Sequence, residues 1–115
     1  MKATRDIKSV IDEMIDHIDY VGRKLRGRSV NDFHADRDVR QIVERSLEII
    51  SEASRRLTPE LQKLAPEIPW RQVADFGNVL RHAYFDVDPD IVWDIATKQL
   101  APLRAALTII RDHLR

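Results

Sequence analysis

The chain has 115 residues, 43% of them hydrophobic and 33% charged, enough for a single domain with a real core under a heavily charged surface. Nineteen basic residues balance nineteen acidic ones and cysteine is absent, so any nucleic-acid site must come from a local patch, and disulfides, thiolate metal sites and cysteine nucleophiles are excluded. Only three glycines accompany those charges, which favours long helices, and no stretch is apolar enough for a signal peptide or a bilayer span, so a cytoplasmic location without membrane contact is expected.

Ile7, Val10, Ile11, Met14, Ile15, Ile18, Val21 and Leu25 recur at steps of three and four. That spacing predicts a first amphipathic helix ending near Gly22 to Gly27. GRKLRGR follows, with Arg23, Lys24, Arg26 and Arg28. Basic residues there oppose the helix dipole, the commoner use of exposed Lys and Arg, and they are also candidate phosphate contacts. SVND, Ser29 to Asp32, matches a capping box and predicts a helical turn around Phe33. A second long helix is predicted from Asp36, burying Val39, Ile42, Val43, Leu47, Ile50, Ala53 and Leu57. Ser46 shares that stripe, where a small side chain lets another helix approach.

Thr58 and Pro59 predict the start of a short helix carrying Leu61 and Leu64. APEIPW, Ala65 to Trp70, has two prolines three residues apart and is expected to run extended before Pro69 opens the next helix. Asp88 and Pro89 repeat the cap for a last helix with Ile91, Val92, Ile95, Leu100, Leu103, Leu107 and Ile110, which Pro102 is expected to kink or split. Four main helices on short connections predict an antiparallel bundle.

The helix from Trp70 to Phe85 carries the chemistry. Trp70, Val73, Gly77, Leu80 and Tyr84 share one stripe, with Asn78, His82 and Phe85 about 100° around from it. Gly77 costs about 1 kcal/mol against Ala in a helix interior, so a close approach by another group is expected there. His82, next to Arg81, is biased toward the neutral form that serves as a general base. Read singly, each residue has a plainer use: His82 as a hydrogen-bonded structural His, Tyr84 as a core residue with a wet hydroxyl, and Asn78 as a cap. Arg81 has Asp75, Asp86 and Asp88 as candidate partners. The spacing alone does not identify an active site. His17, His34, His82 and His113 show no metal-ligand spacing, and no phosphate loop or nucleophile elbow is present. Trp70 and Trp93 read as packing anchors.

The stretches DFHADRDVRQIVERSLEIISEASRRL and PEIPWRQVADFGNVLRHAYFDVDPDIVWDIATKQLAPL resemble the HepT-like branch of the HEPN domains, from about Asp32 to Leu103. The resemblance rests on PEIPW, then Asn78, then Arg81-His82, then Tyr-Phe-x-x-Asp in that order. It implies an all-α bundle of four or five antiparallel helices, one domain over residues 1–115, forming a homodimer. It implies a ribonuclease that needs no metal or other cofactor, the toxin of a toxin–antitoxin pair acting on tRNA or other cellular RNA. The implied partner is a minimal nucleotidyltransferase that adds AMP to the motif tyrosine, here Tyr84. The family motif reads Arg, four residues, His, one residue, Tyr. His82 and Asn78 match it, but Gly77 stands where its Arg belongs. Arg81, one turn further on, is expected to lean back into the space the glycine leaves open. A dimer would set two copies of His82 and Arg81 across one cleft, with Arg23, Lys24, Arg26 and Arg28 extending the RNA-contacting patch, and with Glu52 a candidate to orient Arg81 or His82. Gly77 also keeps open an alternative, a catalytically silent dimer that binds and regulates a nucleotidyltransferase.

Overall fold

A computed structural model describes residues 2–82 and 88–114, with side chains at 6–80 and 88–114. Helix α1 runs Lys2–Leu25, and its stripe is buried as expected: Ile11, Met14 and Val21 are fully enclosed, with Ile7 and Ile15 partly so. The helix stops where Gly27 takes φ 76°, a left-handed turn that suits a residue without Cβ. Arg28 closes it, its backbone N–H donating to Leu25 O at 3.0 Å and its Nε to Lys24 O at 2.9 Å.

Ser29 then caps α2, Val30–Ala35, in a reciprocal capping box with Asp32. The backbone N–H and hydroxyl of Ser29 hold the Asp32 carboxyl below its ordinary value. Helix α2 has a single anchor, Phe33, fully buried with its ring 5.5 Å from that of Trp93. Asp36 caps α3, Arg37–Ser54, through the Val39 N–H at 3.1 Å. Thr58 caps the short α4, Pro59–Gln62.

The segment before the next helix does not run extended. Ile68 N–H donates to Ala65 O at 3.2 Å, closing a turn with Pro66 at its second position, where the ring presets φ. The indole Nε1 of buried Trp70 donates to Ala65 O and Gln62 O at 3.0 and 3.2 Å, which folds the two prolines back onto α4. Helix α5 follows, Trp70–His82. Helix α6, Pro89–Asp94, starts at the Asp88 cap and passes through a π-helical turn, Ile95–Gln99, into α7, Leu100–Leu114. Pro102 therefore splits the last helix as expected. Its ring removes the N–H that would bond Lys98 O, and the wider turn just before it relieves the clash. Ile91, expected in the core, is 55% exposed. A six-residue helix has one inward line, and here Val92 and the Trp93–Phe33 contact set it, leaving Ile91 outside.

The long helices pack antiparallel. His17 meets Ser46 and Arg28 meets Asp36 between α1 and α3; Ser51 and Arg55 meet Gly77 and Ala74 between α3 and α5. On the other flank of α1, Asp19 and Asp12 pair with Arg104 and Arg111 of α7. Leu47, Ile50, Leu107 and Ile110, all without exposed surface, fill the space between, each contributing about 1.5–3 kcal/mol of apolar burial. The chain is thus an all-α bundle, with no strand among its described residues.

The Arg104 guanidinium lies bidentate on Asp19 at 2.7 and 3.0 Å and holds that carboxyl below its ordinary value. A depressed carboxyl stabilises the fold above its unfolded-state pKa, and this contribution is lost as pH falls through the folded-state value. Asp19→Asn should therefore melt below wild type at neutral pH, and the two melting curves should converge below the usual carboxylate range.

Candidate functional site

Helix α5 is fixed to α3 by one close crossing. Ser51 is 1% exposed, and its Oγ donates to Ala74 O at 2.9 Å while accepting from Gly77 N–H at 3.0 Å. A Cβ on Gly77 would stand 2.7 Å from the Ser51 Cβ, closer than real Cβ contacts come. The close approach expected at Gly77 is therefore Ser51. Arg55 Nη2 adds a bond to Ala74 O at 2.8 Å, and Ser54 Oγ donates to Ser51 O at 2.6 Å, so the crossing is polar and fully partnered.

Asn78, exposed, follows this crossing directly, and α5 ends one turn later at His82. Residues four apart on a helix share a face, so Asn78 and His82 start from the same side of α5, with Arg81 beside them. Arg81 and His82 are located by their backbone; Tyr84 and Phe85 lie outside the described residues. One expectation is overturned here. The space at Gly77 is not open for Arg81 to fill, because Ser51 occupies it. An arginine at position 77 would meet the same obstacle in the α3–α5 contact.

The other candidates sit elsewhere. Glu52 lies 4.0 Å from Arg55 Nε and lines an α1–α3 groove of about 570 Å³ with Glu13, Arg45, Glu48 and Arg56. In the basic segment, Arg28 is committed to Lys24 O and to Asp36 Oδ2 at 3.3 Å, so it serves the fold. Arg23 and Lys24 stand over the Tyr20 ring, 5.7 and 5.4 Å from its centroid. Arg23 and Arg26 line a second groove, with Asp19 and Arg104, between α1 and the π turn with α7. This cluster is tied to α1, the α2–α3 junction and α7, whereas α5 is held by α3, so the two groups of candidates are built on different packing surfaces. Among the described residues no three His, Asp or Glu side chains converge as a metal site requires, and no helix is long and apolar enough to cross a membrane.

Sequence reasoning misses Ser51 and Arg55. Their signal is the run of small residues in SEAS, where Ser51 and Ser54 are both buried; Ser46, the serine on the apolar stripe of α3, faces His17 of α1 at 3.3 Å instead of α5.

The profile of the ribonuclease HepT-like family matches residues 5–110, nearly the whole chain and the whole of the α3–α5 unit. The chain belongs to the HepT-like ribonuclease family. It is 32% identical over 107 residues to a probable ribonuclease HepT of Thermococcus cleftensis, covering 93% of this chain and 97% of that one. A putative RNase of Methanocaldococcus jannaschii is 27% identical over 106 residues, covering 92% and 97%. A putative RNase of Caldanaerobacter subterraneus is 29% identical over 93 residues, covering 81% and 83%. No solved structure matches the chain.

The crossing makes a coupling test. Gly77→Ala should destabilise by about 1–3 kcal/mol through overpacking, against the helix propensity of alanine. Ser51→Gly should recover part of that deficit in the double variant, although it costs stability on its own. Urea denaturation of the four proteins of this cycle measures the coupling; strict additivity would mean that the two side chains do not compete for one space.

Proposed function

We propose that this HepT-like protein is a metal-independent RNA endonuclease, with Asn78, Arg81 and His82 carrying the reaction. Family membership makes ribonuclease the activity to be explained. The observation that carries the residue assignment is the arrangement of α5, a helix pinned by Ser51 at Gly77 and bearing Asn78 and His82 one turn apart in its last turns.

RNA supplies its own nucleophile. In the proposed step, neutral His82 of one copy accepts the 2′-hydroxyl proton as that oxygen attacks phosphorus. The bond from phosphorus to the 5′-oxygen breaks, and the second copy's His82, in its protonated form, gives a proton to the leaving oxygen. The products are a 2′,3′-cyclic phosphate and a 5′-hydroxyl. Arg81 stabilises the added charge on the phosphorane, and the Asn78 amide hydrogen-bonds a phosphate oxygen. The two histidines require a homodimer with α5 at its cleft. Val79, 62% exposed and next to Asn78, offers apolar surface for such a contact.

In this reading the protein is the toxin of a toxin–antitoxin pair, acting in the cytoplasm on tRNA or other cellular RNA. Its partner is a minimal nucleotidyltransferase, and AMP placed on Tyr84 would bring a phosphate and a base to the cleft, opposing RNA by charge and bulk. A second reading is favoured by one observation: the motif Arg position is Gly77, and Ser51 leaves no room there. That reading is a catalytically silent dimer that binds and regulates the nucleotidyltransferase.

Incubation of purified protein with total tRNA in excess EDTA decides between them. Wild type should cleave, leaving cyclic phosphate ends, and His82→Ala should lose at least about 10²-fold in rate. Absence of cleavage by folded, unmodified wild type would establish the silent reading instead.

A further inference from the structure

The groove between α1 and the π turn with the start of α7 has no part in the chemistry proposed above. It measures about 480 Å³, and its rim is formed by Arg23, Arg26 and Arg104 with Asp19. Of these cations, Arg104 is neutralised by its bidentate pair with Asp19. Arg23 stands over Tyr20, and Arg26, in the turn that follows α1, has no ion-pair partner among the described residues. The rim therefore carries two positive charges beyond those its own carboxylate balances.

The small residues of the lining are a second observation. Gly22 lies inside α1, where glycine is destabilising by about 1 kcal/mol against Ala. At Gly77 that cost has a packing reason, the approach of Ser51. At Gly22 there is none: a Cβ there would meet no atom within 4 Å. Gly22 is exposed and lines the groove together with Ala96 and Ala101. Ala96 belongs to the π turn that precedes Pro102. Small residues and guanidinium groups lining one groove let a phosphate approach the backbone and be gripped by planar donors. The exposed large apolar residues Val79, Ile91 and Ile109 are not among those lining the groove, and the large apolar side chains that do line it, Ile18 and Leu100, are buried, so its accessible charges favour an anionic ligand.

We propose that this groove binds backbone phosphates of the RNA substrate, with Arg23 and Arg26 as the contacting groups, the Asp19–Arg104 pair as the strut holding the wall, and Gly22 as the opening. The proposal rests on the ribonuclease reading. It divides the basic segment by role: Arg28 caps the helix, while Arg23 and Arg26 hold substrate away from the reacting atoms.

The test is binding of a 2′-O-methyl RNA oligonucleotide, which lacks the nucleophile, followed by fluorescence anisotropy across a salt series. Arg23→Gln with Arg26→Gln should weaken binding about ten-fold and lower the slope of log affinity against log salt by about 1.4, since each neutralised phosphate of a single strand accounts for about 0.7. Gly22→Glu, which puts a carboxylate into the groove, should weaken binding as well, and Gly22→Ala should weaken it to a smaller extent. With cleavable RNA the double arginine variant should raise KM and leave kcat unchanged. Unchanged affinity and slope in that variant would overturn the proposal even if wild type cuts RNA. A wild type that neither binds nor cuts RNA would sink the ribonuclease reading, and the groove's role in RNA binding with it. AMP or inorganic phosphate provides the remaining arm. If the double variant no longer binds AMP but keeps RNA binding, the groove is a small-nucleotide site and the RNA assignment is wrong.

Discussion

The contact on which the candidate site depends is that of the Ser51 hydroxyl with the backbone of α5. A hydroxyl both gives and takes a hydrogen bond, and Ser51 uses both capacities, toward Ala74 O and from Gly77 N–H. Apolar packing alone would let α5 slide or rotate on α3 with little directional penalty. Two directed bonds to successive turns of the backbone remove that freedom, provided no Cβ intervenes. Glycine at position 77 is the condition for this arrangement. The residues that follow inherit their orientation from it, because a helix transmits rotation at one end to the other.

The rest of the bundle serves this geometry by fixing α3. Helix α1 lies along α3 on one flank and along α7 on another, with the short helices α2 and α6 closing the end through Phe33 and Trp93. His34 and Asp90 add a 2.7 Å contact across the same end. The ion pairs between α1 and α7 are exposed and of modest individual worth, yet they lie at two levels along the helices and so define register. Burial supplies the stability, and the polar contacts choose one arrangement among the several that burial would permit.

Local signals are legible in the sequence. The stripes of α1 and α3, the capping box at Ser29, the caps at Asp36, Thr58 and Asp88, and the break at Pro102 each depend on residues within a turn or two of one another. What is not legible depends on contacts between distant residues. The turn at Ala65–Ile68 is folded by an indole that the proline rule does not consider. Ile91 falls in the expected core only when a single stripe is drawn through a helix that in fact changes pitch. Asp19 and Arg104 are 85 residues apart, so no periodicity could pair them. Within the candidate site, His82, Arg81 and Asn78 come from the resemblance, since each has an ordinary use when read singly. Gly77 is legible as an anomaly, but the identity of the group that approaches it is not, because serines are common on helix faces and only the fold selects Ser51.

The crossing at Gly77 also limits which neighbouring sequences can be reached by mutation. Placing arginine at position 77 by one substitution would collide with Ser51, and shrinking Ser51 first would give up two hydrogen bonds before any gain. Each single step is downhill in stability, so the two positions can change profitably only together. A lineage that carries the Gly–Ser crossing is thereby held in it.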